Sequence, residues 1–179
     1  MGPGRGAAPA SYETLFRRGE RLFGPPLPRV VRFFADRVAA PARVLDLGSG
    51  QGRHAVLAAR LGHRVTGVDE SATGIAQMCA DAQQAGVVVR GVVADVLKFR
   101  TRARFDVVLL VRVLCHLTGD EARAQLLQRL PGMVKPAGFV VIADRAGSRR
   151  IVGAHFAANA ALWTVEERAA DWICARRLG

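Results

Sequence analysis

Asp46, Gly48, Gly50 and Gly52 stand at alternate positions directly after the apolar run Val44-Leu45, and Asp69 closes the next apolar run. Three glycines so close together let the main chain turn sharply and let a ligand approach backbone atoms where a Cβ would collide. An acid at the end of a following strand can accept hydrogen bonds from both hydroxyls of a ribose. The chemistry this set can do is to hold a nucleotide-type ligand over a strand-to-helix turn, in a βαβ unit.

The spacing then selects among such ligands. A dinucleotide fingerprint needs a third glycine after a two-residue gap, because the pyrophosphate rests on the helix N-terminus. Counted from Gly48 that place is held by Arg53, and counted from Gly50 by Ala55. Asp46 would also set a negative charge beside phosphates, whereas it suits a cation. A ribose with a positive group and no phosphate describes S-adenosylmethionine.

On these residues the chain resembles the class I S-adenosylmethionine-dependent methyltransferases, whose first motif is an acid followed by GxGxG at a strand end. Asp46, Gly48, Gly50 and Gly52 match it. The continuation through Arg53-His54-Ala55 and Leu61 to Ser71 is most similar to the small-molecule branch with the tellurite-resistance and thiopurine methyltransferases. The resemblance implies a small-molecule acceptor, S-adenosylmethionine as cofactor, and cofactor contacts at Asp46, Gly48, Ser49, Gly50, Gly52, Asp69, Glu70 and Ser71. It further implies that Asp95 accepts from the adenine amine, that Val96 flanks the ring, and that the methyl group and acceptor meet at the end of strand four, near Val111.

That strand end continues as Arg112-Val113-Leu114-Cys115-His116. Methyl transfer is an in-line displacement in which holding nucleophile and methyl in contact supplies much of the rate. A base is needed only for a protonated acceptor, and histidine, with an ordinary pKa of about 6.5, suits that task. His116 is the candidate base and Arg112 a candidate for orienting an anionic substrate; packing beside Leu117 and pairing with a neighbouring acid are their plain alternatives. The two-proline aromatic tetrapeptide of DNA amino methyltransferases is absent. His54, His63 and His155 lack metal-ligand spacing, so no metal is expected, and no G-x-S-x-G elbow supports a hydrolase.

These residues need a parallel sheet to position them. From Arg43 onward the chain alternates strands and helices, with strands expected at 43–47, 64–68, 87–94, 105–111 and 139–143 and helices at 53–61, 72–85 and from 119 to about 130. Residues 11–40 read as two helices that could lie over the ligand loop, with their aromatics as plain core the alternative. The fold expected is α/β, a Rossmann-like three-layer αβα sandwich with a mostly parallel sheet. After Arg145, residues 147–162 read as helix or loop, 166–170 as a helical turn and 172–175 as one short strand. At most six strands are therefore expected, in a reduced C-terminal part spanning 146–179, and an exposed edge would invite a second copy of the chain.

Length bounds the rest. With 179 residues and 50% hydrophobic residues the chain makes one domain, 11–179, with its cofactor core at 43–145. Residues 1–10 read as a disordered leader without a signal peptide, and Cys79, Cys115 and Cys174 show no CxxC spacing, so a cytoplasmic setting with reduced thiols is expected. No apolar run is long enough to cross a membrane. The net charge of +11 invites nucleic acid, but the basic residues are scattered, nearly all Arg, and not interleaved with aromatics. An S-adenosylmethionine-dependent methyltransferase acting on a small molecule is the leading expectation. Its alternatives are a non-catalytic S-adenosylmethionine-binding or interaction protein, suggested by the short C-terminus, and an RNA methyltransferase, suggested by the charge.

Overall fold

The computed structural model describes residues 11–19 and 21–179; the expected leader at 1–10 lies outside them. Among the described residues seven strands form one sheet: β1 (Arg43–Leu47), β2 (Arg64–Asp69), β3 (Val89–Val93), β4 (Phe105–Val111), β5 (Val134–Ala143), β6 (Trp163–Ala169) and β7 (Trp172–Arg177). Their order is β3-β2-β1-β4-β5-β7-β6, with β1 to β5 parallel and β7 antiparallel between β5 and β6. Strand order reverses between β1 and β4, so their carboxyl ends open the crevice in which such sheets bind ligands.

Seven helices accompany them among the described residues: α1 (Tyr12–Arg17), α2 (Pro28–Arg37), α3 (Arg53–Arg60), α4 (Ala72–Gln84), α5 (Gly119–Gln128), α6 (Leu130–Met133) and α7 (Arg149–Ala158). Strand β4 shows why the sheet needs cover on both faces. Successive side chains of a strand point to opposite faces. Val108 and Leu110 accordingly join one core with Leu126, Leu127, Leu130 and Phe156, from α5 to α7, and Phe105, which precedes a register shift before Val107, joins the same core. Val107, Leu109 and Val111 join another with Val30, Phe34, Ala55 and Met78, from α2 to α4. Pro28 at the first turn of α2 and Ser71, whose Oγ accepts from Gly74 N–H at the start of α4, set two of the helix starts. No described helix is long and apolar enough to cross a membrane.

The expected limit of six strands is corrected here. The stretch read as a helical turn belongs to β6, which pairs with β7 from Trp163↔Arg177 to Ala169↔Trp172 across the two-residue turn Ala170-Asp171. That turn has no glycine or asparagine, the usual signal of a tight hairpin. A register shift between Val165 and Glu167 interrupts the alternation by which a strand is recognised. The run Glu166-Glu167-Arg168 lies on an edge strand, where Arg37 of α2 pairs with both glutamates. Strand β5 is flanked on both sides, by β4 and β7, so of the two edges expected, strand five or the terminal strand, it is not strand five that is open; the edge on that side is β6.

Candidate functional site

The loop after β1 is drawn into the sheet by its backbone. Gly48 and Ser49 N–H groups both donate to Val68 O, at 2.7 and 3.0 Å, and Gly50 N–H donates to Asp69 Oδ2 at 2.8 Å. Gly48 and Gly52 have φ of +71° and +82°. A Cβ at Gly48 would lie 2.6 Å from Val113 Cγ2, and one at Gly52 2.2 Å from Met78 Cγ. Gly48 thus brings the loop against the turn after β4, while Gly52 brings the start of α3 against α4.

A cleft of about 930 Å³ opens above this loop. It gathers most of the residues expected at the site: Gly48, Ser49, Gly50, Asp69, Glu70, Asp95, Val96, Val111, Arg112 and His116. Asp69 Oδ1 also accepts from Ser71 N–H at 2.9 Å, yet a carboxylate offers about four lone-pair sites, so acceptor capacity remains toward the cleft. Asp95 keeps Oδ1 on Leu97 N–H at 2.8 Å. Asp46, Gly52 and Ser71 do not line the cleft. Ser71 is 1% exposed and its Oγ caps α4 and donates to Glu13. Asp46 is 2% exposed, and its Oδ2 has no hydrogen-bond partner. Burial pushes its carboxyl up to about 7, with the charge of Asp69 adding to the rise.

Of the aromatics read at 11–40, those before Pro25 reach the ligand loop, as one reading allowed, while Phe33 and Phe34 of α2 are core, as the other did. Tyr12, Phe16 and Phe23 line the cleft, and α1 is fastened across it by Glu13. Glu13 accepts from Ser71 Oγ at 2.6 Å and from Thr73 Oγ1 at 2.7 Å and Thr73 N–H at 3.1 Å; these bonds hold its carboxyl down at about 2. Tyr12 Oη lies 3.1 Å from His116 Nε2, with the two rings edge to face at 5.1 Å. Arg53, His54, Val113 and Leu117, none of them expected as site residues, also line the cleft. His54 Nε2 accepts from Leu27 N–H at 3.2 Å, and burial, helped by Arg53, lowers its pKa to about 3. It is a neutral structural imidazole.

His116 is positioned from two strands. Arg112, with φ of +59°, turns the chain out of β4 while its N–H donates to Ala143 O at 2.7 Å. Asp144, next along β5's strand end and 5% exposed, accepts from Leu114 and Cys115 N–H at 2.7 and 3.2 Å. These bonds fix the 3₁₀ turn Leu114–His116. Burial and Asp144 push the Cys115 thiol up to about 11, so it is not a thiolate nucleophile at neutral pH.

Comparisons with known proteins bear on the family and the fold. Residues 44–138, more than half of the chain, match the methyltransferase-domain family. A ubiquinone biosynthesis O-methyltransferase of Rhodopseudomonas palustris is 35% identical over 121 residues, 64% of this chain and 46% of that protein. The chain thus spans about half the length of the curated relatives it matches. The crystal structure of the N-methyltransferase NodS from Bradyrhizobium japonicum, in complex with S-adenosylhomocysteine, covers 93% of this chain and 98% of its own, with a TM-score of 0.72 at 18% identity. TehB of Haemophilus influenzae covers 94% of this chain and 67% of its own, with a TM-score of 0.69 at 16% identity. At such identities these structures speak for the fold.

Proposed function

Because the chain belongs to the methyltransferase-domain family, we propose that it transfers the methyl group of S-adenosylmethionine to a small-molecule acceptor. The observation that carries this reading is Asp69, bonded to the glycine loop through Gly50 and with acceptor capacity left over a cleft. The buried, half-unpaired Asp46 behind the same loop supports a cationic ligand, since a nearby positive charge favours its ionised form.

Asp69 would accept from the ribose hydroxyls, with Glu70 beside it, and Asp95 from the adenine amine, with Val96 against the ring. Tyr12, Phe16 and Phe23 exclude water from above. When bound, S-adenosylmethionine would supply an electrophilic methyl carbon for the acceptor's lone pair, with the thioether sulfur of S-adenosylhomocysteine as the leaving group. Arg112 orients the acceptor, and His116 Nε2 receives the proton of an acceptor hydroxyl that takes the place of Tyr12 Oη. A hydroxyl acceptor is supported by the relatives named as O-methyltransferases. The three free cysteines support a cytoplasmic setting.

Calorimetric titration with S-adenosylhomocysteine tests the shared premise. Asp69→Ala lowers affinity roughly 10- to 100-fold, the usual worth of hydrogen bonds to a charged group. Undiminished affinity sinks the ribose assignment and with it this reading.

A further inference from the structure

A second cavity of about 1010 Å³ lies beyond the cleft, between the end of β5, the first turn of α7 and the β6–β7 turn. Its walls carry Arg145, Arg149, Arg150 and Arg168. Arg150 is drawn to Asp120, but the other three have no carboxylate partner among the described residues. Two acids also line the cavity. Both oxygens of Asp144 are occupied by backbone N–H groups, and Asp171 Oδ1 faces Arg29 at 3.7 Å.

Two features of α7 are unfavourable without a ligand. A helix N-terminus is a positive pole that favours acids, yet the first turn of α7 contains none and begins with two arginines. Ser148, which precedes it, lines the cavity at 1% exposed, and its Oγ neither caps the helix nor has any other partner. A buried hydroxyl left unbonded costs stability. An oxyanion at this point would answer all three deficits: the unpaired guanidiniums, the uncompensated helix pole and the free hydroxyl.

We infer that this cavity is a phosphate-binding site built from Arg145, Ser148, Arg149 and the N-terminus of α7. Its use rests on the methyltransferase reading: the site takes the phosphate end of the acceptor and leaves the reacting end beside His116. The two cavities share a wall. Asp144 holds the turn that carries His116, Arg145 is the next residue, and the 3₁₀ turn Ala146–Ser148 packs against the turn Leu114–His116.

Titration with inorganic phosphate at fixed ionic strength, beside S-adenosylhomocysteine titration of the same samples, tests the inference. The unmodified protein binds phosphate at about 10 mM or tighter. Arg149→Gln and Ser148→Ala each weaken phosphate, the former roughly tenfold or more, while S-adenosylhomocysteine affinity stays within about twofold. Arg64→Gln, at the amino end of β2, controls for loss of general positive charge and leaves phosphate affinity unchanged. Absence of phosphate binding, or an equal loss in Arg64→Gln, overturns the site. Phosphate binding without S-adenosylhomocysteine binding keeps the site and removes the methyltransferase reading instead.

Discussion

Asp46 is the residue at which stability and ligand preference conflict. Its carboxyl stands at about 7 in the folded chain, against about 3.9 for an unfolded aspartate. The folded state therefore binds the extra proton between those values, and stability falls as pH rises through that window, by up to about 1.4 kcal/mol per pH unit. Asp46→Asn removes this loss. In melts from about pH 4 to about pH 8 the variant gains progressively on the unmodified protein and levels off above about 7, whereas a constant offset would refute ionisation as the cause. At His116 the reading is kinetic. With an acceptor identified by a labelled-methyl screen, His116→Ala lowers kcat by roughly 10²- to 10⁴-fold and leaves S-adenosylhomocysteine affinity unchanged. An unaltered kcat would leave His116 only as the partner of Tyr12.

At the scale of elements, α1 illustrates how a short helix acquires a place. Six residues are too few to be stable alone. The helix is held by its Ser11 cap, by Phe16 at 1% exposure and by the bonds of Glu13 to the start of α4. Glu13→Ala removes the fastening. Hydrogen exchange across Tyr12–Arg17 then rises while the protection of β1 and β4 is retained, and S-adenosylhomocysteine dissociates faster. Unchanged exchange in α1 would mean that the aromatic contacts alone suffice. Because the Glu13 carboxyl is held at about 2, the fastening is present throughout the neutral range and is lost only as pH falls toward that value. The β6–β7 hairpin is the opposite case, an element whose own sequence concealed it. Its polar strand owes its place to β7 and to Arg37.

For the whole molecule, cofactor binding and stability are linked. S-adenosylhomocysteine at a hundredfold excess over its Kd adds about 2.7 kcal/mol, which for a chain of this size raises Tm by roughly 5–10 °C. No shift in differential scanning calorimetry would contradict a preformed site. Local pattern was enough to reveal the parallel core: β4 begins and ends where the run Phe105–Val111 does, with Asp106 its one polar residue, because a strand buried on both faces is mostly apolar. It was also enough for the ligand class, since the spacing of Asp46, the three glycines and Asp69 is a property of one βαβ unit. The seventh strand was hidden because an edge strand satisfies only one side and tolerates charge. The Tyr12–His116 bond and the Asp144 anchor joined residues about a hundred or tens of positions apart, at separations no local pattern encodes, and only the tertiary structure chose between the two readings of Tyr12, Phe16 and Phe23 as cover for the loop or plain core. Which glycine touches the cleft and which packs on Met78 was likewise decided by tertiary structure alone, because every Cβ-less position looks the same until its neighbour is known.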